Sequence, residues 1–357
     1  MTNHSISSNI SFVAFSGGQQ CVQFLPDSGK APNVGETGAL PIVYLSSIRP
    51  EALPELRWAV QGFATEPGVT FITGVAKAGK SQLALRMAIA LASGRPFLGQ
   101  FVVAARRRVL YVVGEDWLPN IVRRIETHAL DMGFTIEEIA TQVHPNLQVV
   151  PVCGLRLDQP TQVKLLCGAL DILGYDALVI DPLARFHQLD EDKASGMAPL
   201  LRTFREIGDT RVLIVVHHEG KHLEGRLAFG GPLGHRARGT SAFADLHDNY
   251  IALTKTKTGV RIEREHKYEA SPDPIDVAVG WTDGNVHWEV AEPPTAATLP
   301  TRIIAYVAQH PGCSTQAVKD GVTGRADGIV RALEQLQAEG RIRVEVLGQA
   351  KCWYVCS

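Results

Sequence analysis

Along residues 44–290, short apolar runs of strand length alternate with stretches of helical periodicity, the pattern of β and α units wound around a mostly parallel sheet. The runs predict strands over residues 70–73, 108–113, 147–152, 177–180 and 212–216. Two further β-rich runs, 249–254 and 259–265, flank the turn-like Lys257-Thr258-Gly259 and are expected to extend the sheet as antiparallel strands at one edge. Residues 1–42 are rich in Ser, Gly, Asn and Pro and carry only two short apolar runs, so a flexible arm or a weak hairpin is expected there. Residues 43–291 then form the main α/β domain, and Glu292-Pro293-Pro294-Thr295 opens a stiff polar linker over 292–298. Residues 299–357 predict helices over 301–308, 314–319 with Ser314 as N-cap, and 327–338, followed by a hairpin of 342–346 and 352–355. This is the layout of a small C-terminal winged-helix domain.

Composition narrows the classes of partner. A chain of 357 residues, 45% hydrophobic and 20% charged, suffices for one full core and one small extra domain. The 35 Lys and Arg nearly balance 37 Asp and Glu, so any DNA-binding surface has to be local. No apolar run approaches the roughly 18 residues that span a bilayer. The six cysteines form no CxxC pair, and no charged and apolar leader precedes them, so reduced thiols and a cytoplasmic location with no membrane partner are expected.

One motif carries definite chemistry. Gly74-Val75-Ala76-Lys77-Ala78-Gly79-Lys80-Ser81 matches GxxxxGK[ST] and stands between a predicted strand and a predicted helix. Glycines at both ends let the backbone wrap around a β-phosphate, and the helix N-terminus adds donors and positive potential. ATP and Mg2+ are the implied ligands: Gly74, Lys77, Ala78, Gly79, Lys80, Ser81 and Gln82 form the nucleotide-binding set, Lys80 neutralises the β and γ oxygens, and the Ser81 hydroxyl ligates magnesium.

A carboxylate must support that metal, and Asp181 stands at the end of the apolar run Ala177-Leu178-Val179-Ile180. Pro182 follows it, so the base that activates water has to come from elsewhere. Glu115 closes the run 109–113 and is the candidate, with capping of the next helix as the alternative. His217 and His218 end the run 212–216; His218 is the candidate γ-phosphate sensor, with ordinary loop histidines or a metal pair as alternatives. Between Glu219 and Thr240 lies a loop rich in Gly, His and Arg. It suits contact with a nucleic-acid backbone, presentation of an arginine to a neighbouring subunit, or simple solvation.

The order of these motifs resembles the RepA-like hexameric helicases, an AAA_25-like family of RecA-type P-loop ATPases. The resemblance is carried by Gly74 to Ser81, the run to Glu115-Asp116, Ile180-Asp181-Pro182-Leu183-Ala184-Arg185, His217-His218-Glu219-Gly220-Lys221 and Arg238-Gly239-Thr240-Ser241-Ala242. It implies a RecA-like core, a homo-oligomer that in this family is a hexameric ring, ATPase roles for Lys80, Ser81, Glu115, Asp181 and His218, and an arginine supplied in trans. In place of the family's Lys-x-Arg element near the final strands this chain has His266-Lys267-Tyr268, which leaves Arg236, Arg238 and Arg264 as candidates for that arginine.

The C-terminal segment adds Arg325, Arg331, Arg341, Arg343 and Lys351 near its third helix and hairpin, a placement suited to DNA, although basic residues exceed acidic ones only by seven to five over 297–357. Two functions follow. One is a DNA-dependent ATPase, a helicase or replication and recombination factor of a plasmid, phage or mobile element. The other is a non-motor ATP switch whose terminal domain holds a protein or a promoter. A small-molecule P-loop kinase is disfavoured, because no lid or acceptor pocket is evident.

Overall fold

The computed structural model describes residues 11–16, 19–24, 40–42, 56–191, 193–218, 246–282, 285–290, 299–322, 326–347 and 350–355. In the N-terminal segment β1 (Ser11–Ser16) and β2 (Gln19–Phe24) pair as an antiparallel hairpin, to which β3 (Leu40–Ile42) adds beside β1. Next come the short pair β4 (Trp58–Val60) and β5 (Ala64–Thr65).

The main domain is one nine-stranded sheet. Its parallel part uses β6 (Gly68–Gly74), β7 (Val109–Val113), β8 (Leu147–Val150), β9 (Ala177–Asp181), β10 (Val212–Val216) and β11 (Asn249–Lys255). The antiparallel part is β12 (Gly259–His266), β13 (Ile275–Thr282) and β14 (Asn285–Val290). The order across the sheet is β14-β13-β12-β11-β6-β10-β9-β7-β8. All five residues of β7, β9 and β10 are buried, as expected of strands covered on both faces, and this is why they read as unbroken apolar runs.

Helix α1 (Lys80–Ser93) is buried over most of its length, against the half of the core that includes Ile72, Tyr111, Val179 and Ile214. It stops at Gly94, whose left-handed φ of 76° lets its N–H bond back to Ala90. Helix α2 (Leu118–Asp131) buries the stripe Ile121, Ile125, His128 and Ala129. Helices α3 (Pro160–Ile172) and α4 (Ala194–Gly208) contribute Leu166, Leu170, Leu200 and Phe204 to the core on the other face.

Two expectations change here. Residues 249–255 run parallel to β6, from Asn249 opposite Thr70 to Leu253 opposite Gly74, and only from β12 outward is the sheet antiparallel. The chain between β10 and β11 is long enough for a crossover, and β11 enters in the same sense as β6. The antiparallel part also consists of the three strands β12 to β14, of which only β12 was expected.

The C-terminal segment has α5 (Leu299–Gln309), β15 (Cys313–Ser314), α6 (Thr315–Gly321), α7 (Ala326–Ala338), β16 (Ile342–Leu347) and β17 (Ala350–Val355). Ser314 caps α6 by accepting from the Ala317 N–H at 3.1 Å. The helices enclose a small core of their own around Ile303, Val318, Ile329, Leu333 and Trp353. The linker 292–298, the loop Glu219–Thr240 and Arg325 lie outside the described residues. Among the described residues no helix is long and apolar enough to cross a membrane.

Candidate active site

The parallel register decides which side chains meet. β6, β10, β9 and β7 lie side by side, with Val216 opposite Ile72, Val215 opposite Ile180 and Val113 opposite Asp181. The ends of all four strands therefore fall on one edge, and the loops that leave this edge carry Gly74 to Ser81, His218, Asp181 and Glu115.

The loop itself is set by tight backbone geometry. At Gly74 any Cβ would lie 2.5 Å from the Leu253 carbonyl oxygen of neighbouring β11, so only glycine allows the two strands to approach. Lys77 and Gly79 take φ values of 59° and 89°, which curl the chain into the first turn of α1. That turn contains no acidic residue to offset the positive end of the helix. Lys80 is 6% exposed, and its Nζ donates to the carbonyls of Gly74 at 2.8 Å and Val75 at 2.9 Å. The loop thus holds its ammonium in place over the cradle.

A cavity of about 640 Å³ opens above the loop, walled by residues 77–82 and, among others, by Glu115, Arg124, His218, Lys257 and Trp288. Asp181 lies beneath it, buried. Ser81 Oγ donates to Asp181 Oδ1 at 2.8 Å and Tyr111 Oη donates to Oδ2 at 2.5 Å. Burial pushes the Asp181 carboxyl above its usual range, and these two hydrogen bonds work in the opposite direction. The buried Tyr111 hydroxyl is raised well above its ordinary value, first by desolvation and then by the neighbouring Asp181 charge.

Glu115 reaches the same mouth. The Gly114 N–H donates to the Asp181 carbonyl at 2.8 Å, and a Cβ on Gly114 would come within 2.6 Å of Arg185 Cβ, so a glycine is needed to bring the two strand ends together. Glu115 accepts from Arg185 Nε at 3.0 Å and is about half exposed. It does not cap α2: the N-cap position is Trp117, without a side-chain hydrogen bond, and Asp116 pairs with Arg124. Of the two histidines, His217 is fully buried and its N–H continues the ladder to Ile72, whereas His218 lines the cavity. Among the described residues no cluster of three or more His, Cys, Asp or Glu converges as a metal site.

Of the three candidates for the trans arginine, only Arg264 falls among the described residues. Arg236 and Arg238 lie outside the described residues. Arg264 is 6% exposed, lies over the rings of Phe63 and Phe101, and donates to the carbonyls of Gly62 and Asp273. Packed in this way it is a structural residue that cannot extend to a neighbouring subunit. His266-Lys267-Tyr268 is at the wrong edge as well: His266 pairs with Asn249 at the start of β11, while the loop adjoins Leu253 near its end. At the Gly74 edge the cavity is instead lined by Lys255, the last residue of β11, and Lys257, in the turn that follows.

Sequence reasoning had named Lys257 in that turn but given neither lysine a role, although a Lys-x-Lys pair closing an apolar strand was the available signal. It had also left Tyr111, Arg124 and Trp288 unassigned.

The residues fit a magnesium nucleotide. The loop leaves no room for a side chain at Gly74, the ammonium and helix end supply positive charge, and the Ser81 hydroxyl donates its hydrogen bond to Asp181, so its lone pairs remain free for a cation. Fold and site together define a P-loop nucleotide-binding protein with an α/β core. Residues 43–224, just over half of the chain, match the profile of a family described as an AAA domain, and the chain belongs to this AAA_25 family. No curated protein matches significantly. Among solved structures, a KaiC-like protein of the hyperthermophilic archaeon Pyrococcus horikoshii is similar over 66% of this chain and 99% of its own, at 12% identity and a TM-score of 0.41.

Proposed function

We propose that this protein binds MgATP at Gly74 to Ser81 and hydrolyses it, with Glu115 as the base. The observation that carries this reading is the Ser81–Asp181 hydrogen bond, which joins the phosphate loop to a buried carboxylate below the cavity that Glu115 also lines. In the proposed reaction the loop N–H groups and Lys80 hold the phosphates. Ser81 and Asp181 are the residues that would hold magnesium, which when bound would offset charge on the β and γ oxygens. Glu115 takes a proton from water as its oxygen attacks the γ-phosphorus, the bond to the β–γ bridging oxygen breaks, and ADP and phosphate leave. His218 is the group that senses the γ-phosphate, and Lys255 and Lys257 add charge at the rim.

The partner we favour is DNA, in a homo-oligomeric motor such as a replication or recombination helicase. This finer reading rests on the resemblance of the motif order to RepA-like helicases and on a C-terminal segment with the helix and hairpin order of a winged helix. A specific observation favours the second reading, a non-motor switch that grips a protein. Three of the terminal arginines are engaged by local carboxylates: Arg331 by Asp327 at 2.8 Å, Arg341 by Glu339 at 3.6 Å and Arg343 by Glu345.

The deciding experiment is steady-state ATP hydrolysis with and without single-stranded and duplex DNA, using Lys80→Ala as the inactive control. Stimulation of several-fold by DNA supports the motor. Slow turnover indifferent to DNA supports the switch, and turnover unaffected by Lys80→Ala overturns the site.

A further inference from the structure

Asp181 is held from two sides, and only one of the two holders belongs to the phosphate loop. Tyr111 lies in β7 opposite Val179 of β9, and Asp181 is two residues beyond Val179. With a side-chain period of two, Tyr111 and Asp181 leave the same face of the sheet as diagonal neighbours. The Tyr111 ring is 1% exposed and packs in the core that includes α1. A phenylalanine would fill that space equally well. What the tyrosine adds is a hydroxyl 2.5 Å from Asp181 Oδ2, with a longer contact of 3.5 Å to the Ser81 carbonyl.

A carboxylate bonded through a single oxygen keeps rotational freedom about its last torsion, which is broad and roughly two-fold. Ser81 anchors Oδ1 and Tyr111 anchors Oδ2, so together they fix the plane of the group. Resting on the magnesium-nucleotide reading above, we propose that Tyr111 is a positioning residue for the metal. Its hydroxyl sets the orientation of Asp181, and through Asp181 that of the Ser81 hydroxyl, so that both oxygens are arranged before a divalent cation arrives on the nucleotide. Preorganisation of this kind affects metal-dependent affinity and leaves the phosphate cradle untouched.

The test is equilibrium ATP binding by calorimetry to the full chain and its Tyr111→Phe variant, in EDTA and in Mg2+. We expect affinity in EDTA within about twofold of wild type, while the gain on adding magnesium falls by about five- to tenfold, within the worth of one ordinary hydrogen bond. Tyr111→Leu, which removes the hydroxyl with a different core shape, must give the same ratio and replaces Tyr111→Phe should that variant not fold. In an Asp181→Asn background the Tyr111→Phe change should do nothing further to the magnesium gain. An unchanged magnesium gain overturns the proposal. So does an equal loss in EDTA and in Mg2+, which marks a purely structural residue, or a full effect that persists without the Asp181 carboxylate. If the wild-type chain itself shows no magnesium gain, or binds no ATP, the nucleotide reading fails and this proposal with it, an outcome visible before any Tyr111 variant is compared.

Discussion

Glu115→Gln separates chemistry from folding more cleanly than any other change at the site. The Glu115 and Arg185 side chains are 53% and 60% exposed, and the 3.0 Å pair they make is of the surface kind, worth about 0–1 kcal/mol. Glutamine keeps the shape and an oxygen for Arg185, so the cost in stability should stay below about 1 kcal/mol. Its ion pair is with Arg185, outside the phosphate loop, so ATP affinity should stay within about twofold. Its loss as a base should still lower turnover by about 10²–10⁴, on the order of 3–5 kcal/mol of barrier. Asp116 cannot substitute, because Arg124 engages it. Three measurements on one preparation decide the matter: melting temperature, ATP binding and single-turnover hydrolysis. Turnover within about threefold of wild type would remove Glu115 from the chemistry. A stability loss above about 2 kcal/mol would make it a structural residue and refute the reasoning from exposure.

Two further outcomes follow from groups farther from the phosphates. Asp131 is 9% exposed and accepts from Arg86 at 2.6 Å, His287 at 2.9 Å and the Trp288 N–H at 3.0 Å, tying β14 to α1 and α2. Asp131→Ala strands a guanidinium that is 3% exposed, so denaturant unfolding should show a loss of about 3–5 kcal/mol; a loss under about 1 kcal/mol contradicts the burial argument. His266 and His128 are pushed down to about 4 and about 3, in both cases first by burial and then by neighbouring arginines. Because the unfolded chain takes up these protons near pH 6.5 and the native state refuses them, stability is full above about pH 6.5 and declines toward pH 4. The slope is about 1.4 kcal/mol per pH unit for each histidine. His266→Gln should remove one such slope between about pH 6 and 4, and an acid limb identical to wild type would show that His266 already titrates normally.

The parallel core was legible because strands buried on both faces leave no choice of residue, and 109–113, 177–181 and 212–216 are almost wholly apolar. The phosphate loop was legible because its spacing is local. β13 and β14 were not, since half-covered antiparallel strands alternate polar and apolar residues and include Gly280 and Asp276, which resemble turn material. The direction of β11 was hidden for a different reason: strand sense depends on where the preceding connection travels, and no property of residues 249–255 encodes it. Tyr111 reads as one more core aromatic until the β7–β9 register sets it beside Asp181, 70 residues further along the chain.

That hidden half of the sheet is also what closes the site. β14 brings Trp288 to within van der Waals reach of the position a Gly79 Cβ would occupy, 3.4 Å from the ring, and the β11–β12 turn brings Lys255 and Lys257 to the rim. Both depend on β11 lying parallel to β6. Were β11 reversed, its turn would fall at the opposite edge, beside Asp248, and the lysines would face no phosphate. The same logic separates two basic runs that look alike in sequence: Lys255-Thr256-Lys257 lies one strand end from Gly74, and His266-Lys267-Tyr268 lies at the other end of that ladder, where the Tyr268 hydroxyl bonds Asp248 at 3.2 Å. A short motif thus gains a role here through its register, and any basic residue offered for nucleotide contact in this chain must first lie on the Gly74 side of the sheet.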